Sequence, residues 1–111
     1  MTVGEIAKEL ELEVLTGEKS LNKEITGVYV CDLLSWVMSH AGKGNIWVTI
    51  HNHINIVAVA LLTEVSCIII PENIEVEETT LTKAMEEGVN ILRSKSSAYE
   101  LCCRIFQITS K

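Results

Sequence analysis

Apolar and polar positions change their period several times along the chain, and each change marks an element. Ile6 and Leu10 lie one helical turn apart behind Thr2-Val3-Gly4-Glu5, a capping box in which a hydroxyl and a carboxylate satisfy each other's backbone amides. That pattern predicts a short first helix. Leu12 and Val14 then alternate with glutamates over residues 11–15, a short strand ended by the turn Thr16-Gly17-Glu18. Residues 25–31 are a β-branched and aromatic run and predict a second strand. Asp32 stands where it would cap a helix with Leu33, Leu34, Val37 and Met38 on its apolar face, closed at Gly42.

The alternation then recurs. Residues 45–50 read as a strand, 54–62 as a helix, and 65–70 as a strand stopped by Pro71. Thr79 or Thr80 opens a helix carrying Leu81, Ala84 and Met85 and closed by Gly88, residues 89–92 form a short strand, and Ser97-Ala98-Tyr99-Glu100 is a second capping box that starts a helix running to Ile108. Strands alternating with helices of this length predict an α/β fold. It is a single compact domain over 1–111, with a mainly parallel sheet of four to five strands, right-handed crossovers and flanking helices. The unbroken run Ile68-Ile69-Ile70 fits a central strand covered on both faces.

Residues 56–62 (Ile-Val-Ala-Val-Ala-Leu-Leu) are apolar all round the helix, which leaves no solvated face. A chain of 111 residues buries only about 60–70% of its unfolded surface. The helix therefore either lies under the terminal helices or packs against a second subunit, and in so short a chain the favoured cover is a second subunit, making the protein a homodimer. Composition points the same way: mean hydropathy is +0.29, yet aromatics supply only 5% of residues, so the apolar excess is aliphatic.

Nine Lys+Arg against fifteen Asp+Glu leave a formal charge of −6. With no basic cluster, that excludes a nucleic-acid binder, which needs a positive footprint, and disfavours docking on anionic lipid. The N-terminus MTVGEIAKEL lacks the basic and apolar regions of a signal peptide, and no apolar run approaches membrane-spanning length. The four cysteines (Cys31, Cys67, Cys102, Cys103) show no CxxC pair or disulfide framework. Reduced thiols in a cytoplasmic protein are expected.

In a parallel α/β sheet, ligands bind beyond the carboxyl ends of the strands, where helix N-termini point unpaired amides. Four junctions qualify: Cys31-Asp32, the segment His51-Asn52-His53-Ile54-Asn55, Pro71-Glu72-Asn73, and Ser94-Lys95-Ser96-Ser97. Asp32, Asn52, His53, Asn55, Ser94 and Ser96 are the candidate ligand-binding residues. Ser94 to Ser97 offers hydroxyls, a cation and helix amides, a seat for a small anion, although N-capping alone accounts for Ser97. His51 and His53 could chelate a metal with Cys31 as third ligand, or pair with its thiol for nucleophilic chemistry. Spacing supplies no further ligand, so the expectation is loop-orienting histidines, a buried Cys31, no metal and no cofactor. Glu72, Glu75, Glu77 and Glu78 read as a solvated helix entrance. No Walker A, GxGxxG or G-x-S-x-G motif occurs.

Nearly the whole chain resembles a known family. Ile6-Ala7-Lys8-Glu9-Leu10, Glu13-Val14-Leu15-Thr16-Gly17-Glu18 and Leu21-Asn22-Lys23-Glu24-Ile25-Thr26-Gly27-Val28 are similar to the opening of DRTGG domains, shared by the N-terminal domain of HPr kinase/phosphorylase. Cys31-Asp32-Leu33-Leu34-Ser35-Trp36-Val37-Met38, His53-Ile54-Asn55-Ile56-Val57-Ala58-Val59-Ala60, Cys67-Ile68-Ile69-Ile70-Pro71-Glu72 and Ser97-Ala98-Tyr99-Glu100-Leu101 resemble stand-alone DRTGG proteins. The resemblance implies a regulatory rather than enzymatic module, homodimeric, sensing an adenine nucleotide or other small anion and acting on a partner enzyme. Such domains accompany phosphotransacetylases and the CBS domains of some pyrophosphatases. Kinase activity belongs to a P-loop domain that this chain lacks. The alternatives are a ligand-free protein-interaction module, or a small metal- or thiol-dependent enzyme using Cys31 and His51/His53.

Overall fold

The structure, a computed structural model, describes residues 1–110. Helix α1 (Val3–Glu9) is held by the full capping box: the Thr2 hydroxyl accepts from the Glu5 amide at 3.2 Å, and the Glu5 carboxylate accepts from the Thr2 amide at 3.0 Å. The Thr2 amide first, and the Thr2 hydroxyl after it, hold the Glu5 carboxyl below its ordinary pKa. Then follow β1 (Glu13–Val14), β2 (Gly27–Val30), α2 (Leu34–His40), β3 (Asn45–Val48), α3 (Asn55–Thr63), β4 (Cys67–Ile70), α4 (Glu78–Glu87), β5 (Ile91–Arg93) and α5 (Ala98–Thr109). The elements are those the sequence pattern predicts, with ends moved by one to three residues.

One five-stranded sheet has the order β1-β5-β4-β3-β2, parallel from β5 to β2, with β1 antiparallel at one edge. Because β2 to β5 are laid down in a single direction, right-handed crossovers put α2, α3 and α4 on the same face. The chain's two ends, α1 and α5, cover the other. Trp47, Ile68, Ile70 and Ile91 point to the first layer, where they meet Val37, Ile56, Val57, Val59, Ala60 and Ala84. Ile46, Val48, Cys67, Ile69 and Leu92 point to the second, against Val3, Ile6, Leu10, Leu101 and Ile105. Strand β4 is buried at all four positions, which is why its sequence shows no alternation.

Two expectations change. The chain itself supplies most of the cover for α3: Ile56, Val57, Val59, Ala60 and Thr63 are buried between the sheet, α2 and α4. Its outward stripe is Asn55, Ala58 and Leu62, with Leu61 beside it. Ala58 and Leu62 face water as apolar residues, so the exposed face is invisible to a polarity pattern. Nor does Asp32 cap α2. Leu33 is the N-cap, without a side-chain bond, and the Asp32 carboxylate is engaged elsewhere.

Candidate functional site at the carboxyl ends of the strands

Asp32 follows β2, and its Oδ1 accepts from Thr49 Oγ1 at 2.9 Å and the Ile50 amide at 3.0 Å, fastening the end of β2 to that of β3. The His51 ring closes the same junction through Nε2 and the Asp32 carbonyl. Asn52 turns the other way: its Nδ2 donates to the Glu75 carbonyl at 2.8 Å, and its carbonyl accepts from the buried Thr80 hydroxyl at 2.9 Å. His53 and Asn55 are exposed, linked only by a long 3.4 Å contact from the Asn55 amide to His53 Nδ1.

Beyond β4 and β5 the chain makes its one divergence. The loop after β4 leads to α4 on one face, and the loop after β5 leads to α5 on the other. In α/β sheets such divergence opens the crevice where ligands bind. Here backbone bonds bridge it: the Glu72 amide donates to the Ser96 carbonyl and the Asn73 amide to the Ser94 carbonyl, each at 2.8 Å. The left-handed backbone of Glu72 (φ 66°) and Asn73 (φ 54°) turns both amides toward that loop. Ser94 is buried, and its Oγ accepts from the Ser96 amide at 3.1 Å.

Glu72, Glu75, Glu77 and Glu78 are all exposed as expected, but Glu72 serves the start of α5 rather than that of α4. Its Oε2 accepts from the Ala98 amide at 3.0 Å, while Ser97 Oγ accepts from Glu100 at 3.2 Å. The protein's own carboxylate occupies part of the anion seat expected at the start of α5. What stays open is a pocket of about 180 Å³ lined by Leu10, Glu11, Glu13, Arg93, Ser94, Lys95, Ser96 and Arg104. Three cations face two carboxylates there. Arg93 is partly spent on Glu13 (Nη2 to Oε1, 2.8 Å). The pattern reading missed Arg93 and Arg104; only the fold brings β1, β5 and the middle of α5 together, although Arg104 is two helical turns from Ser97 and could be sought on that ground.

The six candidate residues thus fall into two groups, Asp32/Asn52/His53/Asn55 and Ser94/Ser96, with the segment after β4 touching both. Among the described residues no three His, Cys, Asp or Glu side chains gather to hold a metal. Burial pushes the Cys67 thiol up to about 12, and it raises Cys102 as well, helped by neighbouring Cys103. Neither thiol is an activated nucleophile. On α5 Cys102 is half-buried and Cys103 exposed, as their 100° separation requires.

A larger cleft of about 650 Å³ lies at the opposite end of the sheet, among Lys23, Glu24, Thr26, Lys43, Ala60, Leu61, Glu64 and Val65. Its charges cancel. Lys23 Nζ donates to the Gly88 carbonyl at 2.8 Å, and Lys43 pairs with Glu64 at 3.9 Å. Volume favours this end, whereas charge favours the carboxyl end for an anion.

The sequence profile of the DRTGG domain matches residues 5–108. The chain belongs to the DRTGG domain family. No curated protein matches it. Among solved structures, this DRTGG domain is similar to the CBS and DRTGG domains of the regulatory region of Clostridium perfringens pyrophosphatase, complexed with the activator diadenosine tetraphosphate. The TM-score is 0.76 at 14% identity, over 92% of this chain and 44% of that one. The DRTGG domain spans less than half of that regulatory region, and the likeness is one of fold. No helix among the described residues is long and apolar enough to cross a membrane.

Proposed function

We propose that this DRTGG domain is a non-catalytic regulatory module that acts as a homodimer, senses an adenine nucleotide or another phosphate-bearing anion, and passes the signal to a partner enzyme in the cytoplasm. One observation carries the ligand part. Arg93, Lys95 and Arg104, three of only nine Lys and Arg in an acidic chain, line one pocket with Ser94 and Ser96 where the loop after β5 meets the end of α1, β1 and α5. The complexed regulatory region from Clostridium perfringens, with its phosphate-rich activator, supports this reading.

Size limits what the pocket takes. About 180 Å³ suits a phosphate group, whereas drug-sized ligands need roughly 300 Å³ or more. The base and sugar would lie across the segment after β4, toward the exposed His53 and Asn55. Asp32 and Asn52, already bonded to the loops, would hold that surface in shape.

Calorimetric titration with ATP, AMP and diadenosine tetraphosphate tests the proposal. Binding that weakens at least tenfold in Arg104→Ala and in Lys95→Ala supports it. Absence of heat with every nucleotide up to millimolar concentration overturns the ligand part, and binding indifferent to both variants moves the site elsewhere.

A further inference from the structure

Strand β2 ends the sheet with its outer edge unpaired among the described residues. Natural edges are commonly guarded by lysine, proline, a bulge or a covering element. Gly27-Val28-Tyr29-Val30 has none of the side-chain guards, and its valines stand open: Val28 is 37% and Val30 53% exposed. Register places Val28 beside Ile46 and Val30 beside Val48, on the layer of α1 and α5. On the opposite face Tyr29 stacks near His40 (6.4 Å between centroids), and His40 stacks on the half-exposed Trp36 at 4.1 Å. Leu33, the exposed N-cap of α2, lies on the same side of the helix as Trp36 and His40. Between Ile25 and Gly42 the sole ionisable Asp, Glu, Lys or Arg is Asp32, whose carboxylate is already bonded to Thr49 and Ile50.

We infer that the β2 edge is the subunit interface, pairing antiparallel with the same edge of a second copy about a two-fold axis at Tyr29. Three features select a second copy as occupant. The Cys31 amide donates to the Val48 carbonyl, so odd-numbered amides face β3, and Val28 and Val30 turn their N–H and C=O groups to the open edge. Val-Tyr-Val reads the same in both directions. A two-fold at Tyr29 therefore sets Val28 opposite Val30 of the partner, each outward amide facing an outward carbonyl, and brings four valines together on one face. Charge agrees: two chains of −6 repel, and this uncharged edge is where they approach at least cost. The two five-stranded sheets become one continuous sheet, with tyrosine against tyrosine beside two Trp36–His40 stacks.

The inference deepens the homodimeric part of the proposed function and is independent of the ligand. Sedimentation equilibrium and amide hydrogen exchange on the intact chain test it. The expected result is a dimer whose Val28 and Val30 amides are protected, with protection falling on dilution. Val30→Lys, at an exposed position, places like charges across the axis and weakens the dimer at least ~100-fold. Leu62→Lys, on the exposed end of α3, leaves it intact. A dimer that survives Val30→Lys while the wild-type Val28 and Val30 amides exchange freely overturns the β2 interface and spares the homodimer. A wild-type chain that stays monomeric at the highest attainable concentration overturns both.

Discussion

The Asp32 carboxylate binds Thr49 rather than its own helix: Oδ1 accepts the buried Thr49 hydroxyl at 2.9 Å and the next amide, Ile50, at 3.0 Å. Two donors at the end of β3 depend on one oxygen from the end of β2. Asp32→Ala leaves both unpaired and lowers unfolding free energy by about 1–2 kcal/mol. Asp32→Asn keeps an oxygen in place and costs about half as much or less. Urea unfolding of the two variants checks the difference; equal losses would remove the shared oxygen as the cause.

Gly44 and Gly88 both have positive φ (84° and 72°) and differ in the space around them. A Cβ on Gly44 would lie 2.6 Å from Thr26 Cγ2 and 2.8 Å from its Oγ1. Thr26 is fixed by its bond to the Lys43 carbonyl. At Gly88, the C-cap of α4, the nearest atom is Ser20 Oγ at 3.6 Å. Gly88→Ala therefore costs about 1 kcal/mol of backbone strain. Gly44→Ala costs roughly 3 kcal/mol or more, with partial recovery in Gly44→Ala/Thr26→Ala. Thermal unfolding of the set orders them.

Removing the Glu72 carboxylate exposes the first turn of α5. Glu72→Ala lowers stability by about 0.5–1 kcal/mol through loss of the charged acceptor on Ala98. The same change unmasks an anion seat, so inorganic phosphate should raise the melting temperature of Glu72→Ala more than that of the wild type. An equal response in both would sever the link between Glu72 and that seat.

Cys67 makes stability fall at high pH. Its thiol, normally near 9.0, is pushed up to about 12 by complete burial. The unfolded chain releases the proton near 9 and the folded chain holds it to about 12. Stability present below pH 9 is thus lost as pH rises through that window, at up to about 1.4 kcal/mol per unit. Cys67→Ala begins less stable because it leaves a cavity, but shows a shallower decline between pH 9 and 12, measurable by urea unfolding at fixed pH. At pH 8 iodoacetamide should label exposed Cys103 and spare Cys67 until the protein is denatured.

Much of the fold is legible in the sequence because each element carries its own periodicity. The Thr2 box, the run Ile68-Ile69-Ile70 and the Gly88 cap act within a few residues of themselves, and all three stand as the pattern predicts. Asp32 and Glu72 misled for the opposite reason. Each sits where a local partner was to be expected, and each bonds a group brought near by another strand or helix. The candidate site is half legible: Ser94 and Ser96 announce a polar loop, while Arg93 and Arg104 reach the same pocket only through packing of β5 and α5.

The sequence by itself determined the order and kind of the elements, the parallel sheet and the central place of β4, because propensity, capping and hydrophobic period act at short range. Tertiary structure alone decided which surfaces remain uncovered. The apolar helix α3, which reads as the natural interface, has most of its surface covered by the sheet, α2 and α4 and keeps only the stripe at Ala58, Leu61 and Leu62 exposed, while the edge of β2 is also left open. Exposure depends on what else packs nearby, and that follows from the handedness of the crossovers and the placing of the chain's two ends on the far face of the sheet.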